Sequence, residues 1–98
     1  MTETDWLRTV RRTLEAAGWL CTRVNAGGRV RGIRLAGAGT ADLLCCAPRG
    51  RYAEVETKHG TKQSEAQRER SATILHYGGT YRVVETVEQL QSLVREMA

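Results

Sequence analysis

Apolar residues at helical spacing open the chain. Trp6, Leu7, Val10, Leu14 and Ala17 share one stripe and predict a helix over residues 4–17, capped by Thr4 and stopped by Gly18. The pattern then shortens to extended runs. Residues 19–24 read as a strand and Asn25-Ala26-Gly27-Gly28 as a turn, whereas residues 29–35, with Val30, Ile33 and Leu35 among arginines, read as either a second strand or a basic loop. Between 40 and 58, two apolar runs flank Pro48-Arg49-Gly50, the pattern of a β-hairpin with a three-residue turn. A loop at 59–63 leads to a helix over 65–77 capped by Ser64. A strand over 80–85 and a helix from the Thr86 cap to Met97 complete the chain. Both later helices open on capping boxes, Ser64-Glu65-Ala66-Gln67 and Thr86-Val87-Glu88-Gln89. The last helix has a firm stripe (Val87, Leu90, Leu93, Val94, Met97), but the middle one offers only Ala66, Ile74 and Tyr77. The predicted order is helix, strand, uncertain extra strand, hairpin, helix, strand, helix. This is an α/β domain with a central mixed sheet flanked by helices.

The hairpin carries the chemistry. With its turn centred on Arg49, Asp42 falls opposite Glu56. Alternation puts Asp42, Leu44, Cys46, Tyr52, Glu54, Glu56 and Lys58 on one face. Ala41, Leu43, Cys45, Ala53 and Val55 take the other, which predicts the core side. Carboxylates facing each other across strands, with β-carbons about 4.5–5.5 Å apart, repel. Protonating one, or placing a cation between them, relieves the repulsion. Two hard oxygen ligands beside a lysine suit Mg²⁺ or Mn²⁺, with positions left for water and phosphate. Glu54 lies about 7 Å along the strand from Glu56, which makes it a supporting or solvated group rather than a ligand of the same ion. The competing reading of these residues is an edge hairpin whose outer face is merely charged.

Composition narrows the classes. Ninety-eight residues, 41% hydrophobic and 27% charged, fit one globular domain over 1–98. There is no Phe, and so modest a core would gain from a partner subunit. No run is long enough to span a bilayer and the first residues are polar, so a cytoplasmic protein away from the membrane is expected. The net charge is +4, and every basic residue except Lys58 and Lys62 is arginine. The arginine fork binds two phosphate oxygens at once, which points toward nucleic acid, although an arginine-rich codon bias gives the same composition. Arg29, Arg31 and Arg34 before the hairpin, and Lys62, Arg68 and Arg70 after it, are the candidate contacts to nucleic acid. Cys21, Cys45 and Cys46 lie in strand-like runs, and adjacent Cys45 and Cys46 point to opposite faces. Free buried thiols are therefore expected rather than a zinc site. Gly37-Ala38-Gly39 fails as a dinucleotide fingerprint because Asp42 stands at the third glycine position and a strand follows, so no nucleotide cofactor is expected.

Asp42 followed by Glu56-Thr57-Lys58 resembles the acidic hairpin of the PD-(D/E)xK nuclease superfamily. The flanking residues narrow the likeness: Gly18, Arg23-Val24-Asn25, Gly39, Ser64, Gln67 and Gly78-Gly79-Thr80-Tyr81. Over nearly its whole length the sequence is similar to the virus-type replication-repair nuclease (VRR-NUC) domain in its standalone form. The resemblance implies a restriction-endonuclease-like core, similar to Holliday-junction resolvases, and a homodimer acting on branched or junction DNA. It implies metal ligands at Asp42, Glu56 and the backbone carbonyl of Thr57. Lys58 would orient or activate the attacking water, and Gln67 would position water or substrate. Glu3 matches the family's N-terminal glutamate as an accessory carboxylate, with Glu15 as its rival. Ala41 departs from the pattern, standing where the motif usually has proline. The expectation is a Mg²⁺- or Mn²⁺-dependent DNA endonuclease with Asp42, Glu56, Lys58 and Gln67 as its catalytic residues. The alternative is a non-catalytic DNA-binding module that uses the arginine-rich surface.

Overall fold

Helical spacing and strand alternation divide the chain close to where the sequence predicts. The computed structural model describes residues 1–24, 39–58 and 62–98, and the backbone pairing of 29–30 with 33–34. In chain order the elements are α1 (Glu3–Ala16), β1 (Leu20–Arg23), β2 (Arg29–Val30), β3 (Ile33–Arg34), β4 (Leu43–Ala47), β5 (Arg51–Thr57), α2 (Glu65–His76), β6 (Thr80–Val84) and α3 (Val87–Glu96). Thr2, not Thr4, caps α1. Its hydroxyl accepts from the Asp5 N–H at 3.1 Å while the Asp5 carboxylate accepts from the Thr2 N–H. The sequence pattern does not flag this capping box because its acid is Asp rather than Glu or Gln.

One sheet runs β1-β4-β5-β6, with β1, β4 and β5 antiparallel and β6 parallel to β5. The sheet is therefore mixed, as expected, and α2 is the crossover that a parallel neighbour requires. The uncertain strand is resolved differently from either expectation. β2 and β3 pair with each other, Arg29 opposite Arg34 and Val30 opposite Ile33, in a separate two-stranded sheet. The expected turn at 25–28, Arg31, the glycine-rich residues 37–38 and the loop at 59–61 lie outside the described residues, as do the side chains of Arg29 and Arg34.

The two faces of the main sheet are covered in different ways. On one, Leu43, Cys45, Ala53, Val55 and Val84 pack with Trp6, Leu7, Val10 and Leu14 of α1 and with Leu90, Leu93 and Met97 at α3. Burying these side chains supplies the main driving force for folding, worth about 1.5–3 kcal/mol for each large one. Trp6 Nε1 donates to the Val84 carbonyl at 3.0 Å and ties α1 to the end of β6. Cys21 and Cys45 meet in this core with sulfurs 3.6 Å apart, both free. Cys46 points the other way and is exposed, so the expectation of buried thiols fails there.

The other face belongs to α2, whose attachment is mostly polar. Ile74 is its one buried residue. Tyr77, expected on the apolar side, is 83% exposed; it caps the helix one residue past His76, with its N–H still donating to the Thr73 carbonyl. Among the described residues, no helix is long and apolar enough to cross a membrane.

Candidate active site

The hairpin register decides where the acids meet. Leu43 pairs with Val55, Leu44 with Glu54, and Cys46 with Tyr52, so one step beyond β4 Asp42 stands opposite Glu56. The turn that sets this register is Pro48-Arg49-Gly50, with Arg49 at φ 71° and Gly50 at φ 74°. Asp42 is held by Thr57, whose backbone N–H and hydroxyl both donate to Oδ2 at 2.9 Å. Its own carbonyl accepts from the Val24 N–H at 2.8 Å, which joins the end of β1 to the site. Glu56 is buried, 5% exposed. Its burial, then a hydrogen bond with Asp42 and the charge of that carboxylate, push the Glu56 carboxyl up to about 8, against the opposing pull of Lys58 and Gln67. Glu56 therefore keeps its proton to higher pH than an ordinary glutamate, which eases the repulsion between the two acids.

Gln67 has two tasks at once. Its side-chain oxygen accepts from the Ser64 N–H at 2.9 Å, completing the capping box of α2. Its Nε2 donates to Glu56 Oε2 at 2.6 Å. The two roles of Gln67, helix cap and site residue, are therefore compatible. Lys58 continues β5, its N–H donating to the Val84 carbonyl at 3.2 Å.

A cavity of about 220 Å³ opens over the two carboxylates, lined by Glu3, Thr4, Leu7, Arg23, Asp42, Glu56, Thr57 and Lys58, with Gln67 behind Glu56 rather than in its wall. Glu3, at the first turn of α1, therefore faces the acidic pair. Its rival Glu15 lies at the far end of the helix, paired with Arg11 at 3.5 Å. Arg23 has no role assigned from sequence, yet among the described residues it is the only arginine in the cavity wall. Its signal was its place at the end of the first strand, which becomes a site position only once β1 is known to pair with β4.

One assignment is narrowed and one changes. Glu54, expected as a supporting or solvated group, is not solvated: it is fully buried. Arg70, expected as an exposed phosphate contact, is committed to it: Nη2 lies 2.6 Å from Oε2, and Nε lies 3.2 Å from each oxygen. The Tyr52 hydroxyl donates to Glu54 Oε2 at 2.5 Å and the Ala41 N–H to Oε1 at 3.4 Å. Burial pushes the Glu54 carboxyl up, but Arg70, Tyr52 and the Ala41 N–H outweigh it and hold the group below its ordinary range. An arginine engaged in this way is not a free phosphate reader. Lys62 and Arg68 remain exposed, with Arg68 also donating to the Gln63 carbonyl at 3.0 Å.

Comparison with known proteins adds one match. A solved structure described as a VRR_NUC domain superposes with a TM-score of 0.75 and 26% identity, covering 98% of this chain and 97% of that one. This chain folds as a VRR-NUC domain. Its four-stranded mixed sheet and three helices form the restriction-endonuclease-like core of that family. No family model matches the chain, and no curated protein does. The match suggests a nuclease-family domain, and the hairpin of this chain brings Asp42, Glu56 and Lys58 to one cavity.

Proposed function

We propose that this VRR-NUC domain is a Mg²⁺- or Mn²⁺-dependent DNA endonuclease that hydrolyses phosphodiester bonds in branched or junction DNA, working as a homodimer. One observation carries the reading: two facing carboxylates, one of them holding its proton to higher pH partly because the other is so near, in a cavity that also holds a lysine. The donor set fits a hard divalent ion. Among the described residues no three His, Cys, Asp or Glu side chains are placed to hold a metal ion by themselves, so the protein would supply Asp42, Glu56 and the Thr57 carbonyl, with Glu3 on the same cavity wall. Mg²⁺ suits such a site, because it keeps several waters and binds substrate phosphate directly.

When bound, the ion would stabilise the charge that develops on the phosphate during hydrolysis. The chain's own residues do the rest. Thr57 orients Asp42 and Gln67 orients Glu56, so both carboxylates are preset. Lys58, in the cavity wall, presents an ammonium to the phosphate and to the attacking water. Arg23 adds a second cation on the same wall. The exposed Lys62 and Arg68 would extend the contact along the DNA backbone.

Calorimetric titration with Mn²⁺ tests the site without a guess at substrate: wild type should bind and Asp42→Ala should not. With Mn²⁺ present, wild type should cut a labelled four-way junction faster than a linear duplex of the same arms. Lys58→Ala should slow the cutting about 100–1,000-fold. Salt-sensitive DNA binding that a chelator leaves unchanged, with no cutting of either substrate, would favour the DNA-binding module instead. Light scattering of the purified protein checks the homodimer.

A further inference from the structure

β5 offers two acids to α2, Glu54 and Glu56, spaced so that both leave the same face of the strand. α2 answers with Arg70 and Gln67, spaced so that both leave the same face of the helix. Two polar rungs result: Gln67 Nε2 to Glu56 Oε2 at 2.6 Å, and Arg70 Nη2 to Glu54 Oε2 at 2.6 Å. An apolar stripe would ordinarily set the rotation of such a helix, but here only Ile74 is buried. A guanidinium fork engaging both oxygens of a fully buried carboxylate sets rotation more tightly than one aliphatic contact does. Glu54 is itself fixed, by the Tyr52 hydroxyl and the Ala41 N–H.

We propose that Arg70 is a positioning residue for the Asp42–Glu56 site: by gripping Glu54 it sets the rotation of α2 that lays the Gln67 amide on Glu56, and through that contact it tunes the affinity for a divalent cation. The inference rests on the reading of Asp42 and Glu56 as a metal-binding pair. Coulomb's law alone predicts the opposite sign. Removing Arg70 leaves the charge of Glu54 uncompensated on the same face, and this would draw a cation in more tightly.

The experiment is Mn²⁺ calorimetry on the full chain, with circular dichroism to confirm folding. Arg70→Gln should weaken Mn²⁺ binding about tenfold, as losing a hydrogen-bond partner of a metal ligand commonly does, and Gln67→Ala should weaken it by a similar factor. Combining the two should add no more than about twofold, because Arg70 acts through Gln67. Arg70→Lys keeps the charge but loses the fork, so it should rescue only part of the affinity. Unchanged or tighter binding by Arg70→Gln overturns the proposal, and so does a combined loss near one hundredfold. Should Arg70→Gln fail to fold, Glu54→Leu with Arg70→Leu removes both charges and carries the same expectations. Failure of wild type itself to bind Mn²⁺ is a separate result, which removes the metal reading and this inference with it.

Discussion

Gly39→Ala should cost more than about 4 kcal/mol of stability, an exceptional loss for one methyl group. Gly39 sits at φ 79°, and a β-carbon there would lie 2.1 Å from the Ala66 carbonyl oxygen, 2.5 Å from its carbon and 2.9 Å from the Gln67 nitrogen. All three are backbone atoms in the first turn of α2, so no side-chain rotation makes room. The Gly39 carbonyl is also held in place, accepting from the Tyr81 hydroxyl at 3.1 Å. Either the strand lead-in or the start of α2 must move, and the second route carries Gln67 off Glu56. Gly78 is the control. It has φ 85°, and a methyl group added there would meet nothing within 4 Å. Gly78→Ala therefore bears only the cost of the left-handed conformation, about 1–2 kcal/mol. Thermal melts of the two variants separate the terms. Similar midpoints for both would refute the close approach at Gly39.

Raising the pH from 5 to 9 should lower the melting temperature of the metal-free protein by about 10 °C or more. The sign follows from Glu56, whose carboxyl is raised in the fold from the ordinary 4.5 to about 8, chiefly by burial and then by Asp42. Below 4.5 the folded and unfolded forms both carry the proton, and the stabilisation is complete. Between 4.5 and 8 the unfolded chain sheds its proton while the fold retains it, so stability declines as pH rises. Above 8 both are ionised and the contribution is gone. Glu56→Gln should flatten this slope, because an amide does not titrate. Mn²⁺ should restore stability most at high pH, since the ion takes the place of the proton and favours the ionised carboxylate. A melting temperature that is level or rising across this range would show that Glu56 is not the buried, proton-sharing acid described.

The acidic hairpin was legible in sequence for a simple reason. A three-residue turn and period-two alternation together dictate which residues oppose and which share a face, so Asp42 against Glu56 and Leu43, Cys45, Ala53 and Val55 in the core all followed from spacing. α1 and α3 were readable because the core buries most of their apolar stripes, although Val87, placed on the α3 stripe, is exposed at the first turn of that helix. α2 was readable as a helix but not as a packed one. Its capping box named Gln67 as structural, and only the arrival of Glu56 from the hairpin made it part of the site. The exposed Tyr77 is the cost of extending a weak stripe beyond its helix.

By itself, the sequence determined the helices, the strands of the main sheet, the hairpin register and the convergence of two carboxylates beside a lysine, because all of these depend on residues near one another along the chain; the pairing of β2 with β3 it left open. The tertiary structure alone decided which charged groups serve the site. Arg70 belongs to Glu54, Arg23 and Glu3 belong to the cavity, and Glu15 does not. An arginine looks the same in sequence whether it ends on a buried acid or in solvent. The choice depends on the distance between side chains carried by different elements, and packing sets that distance.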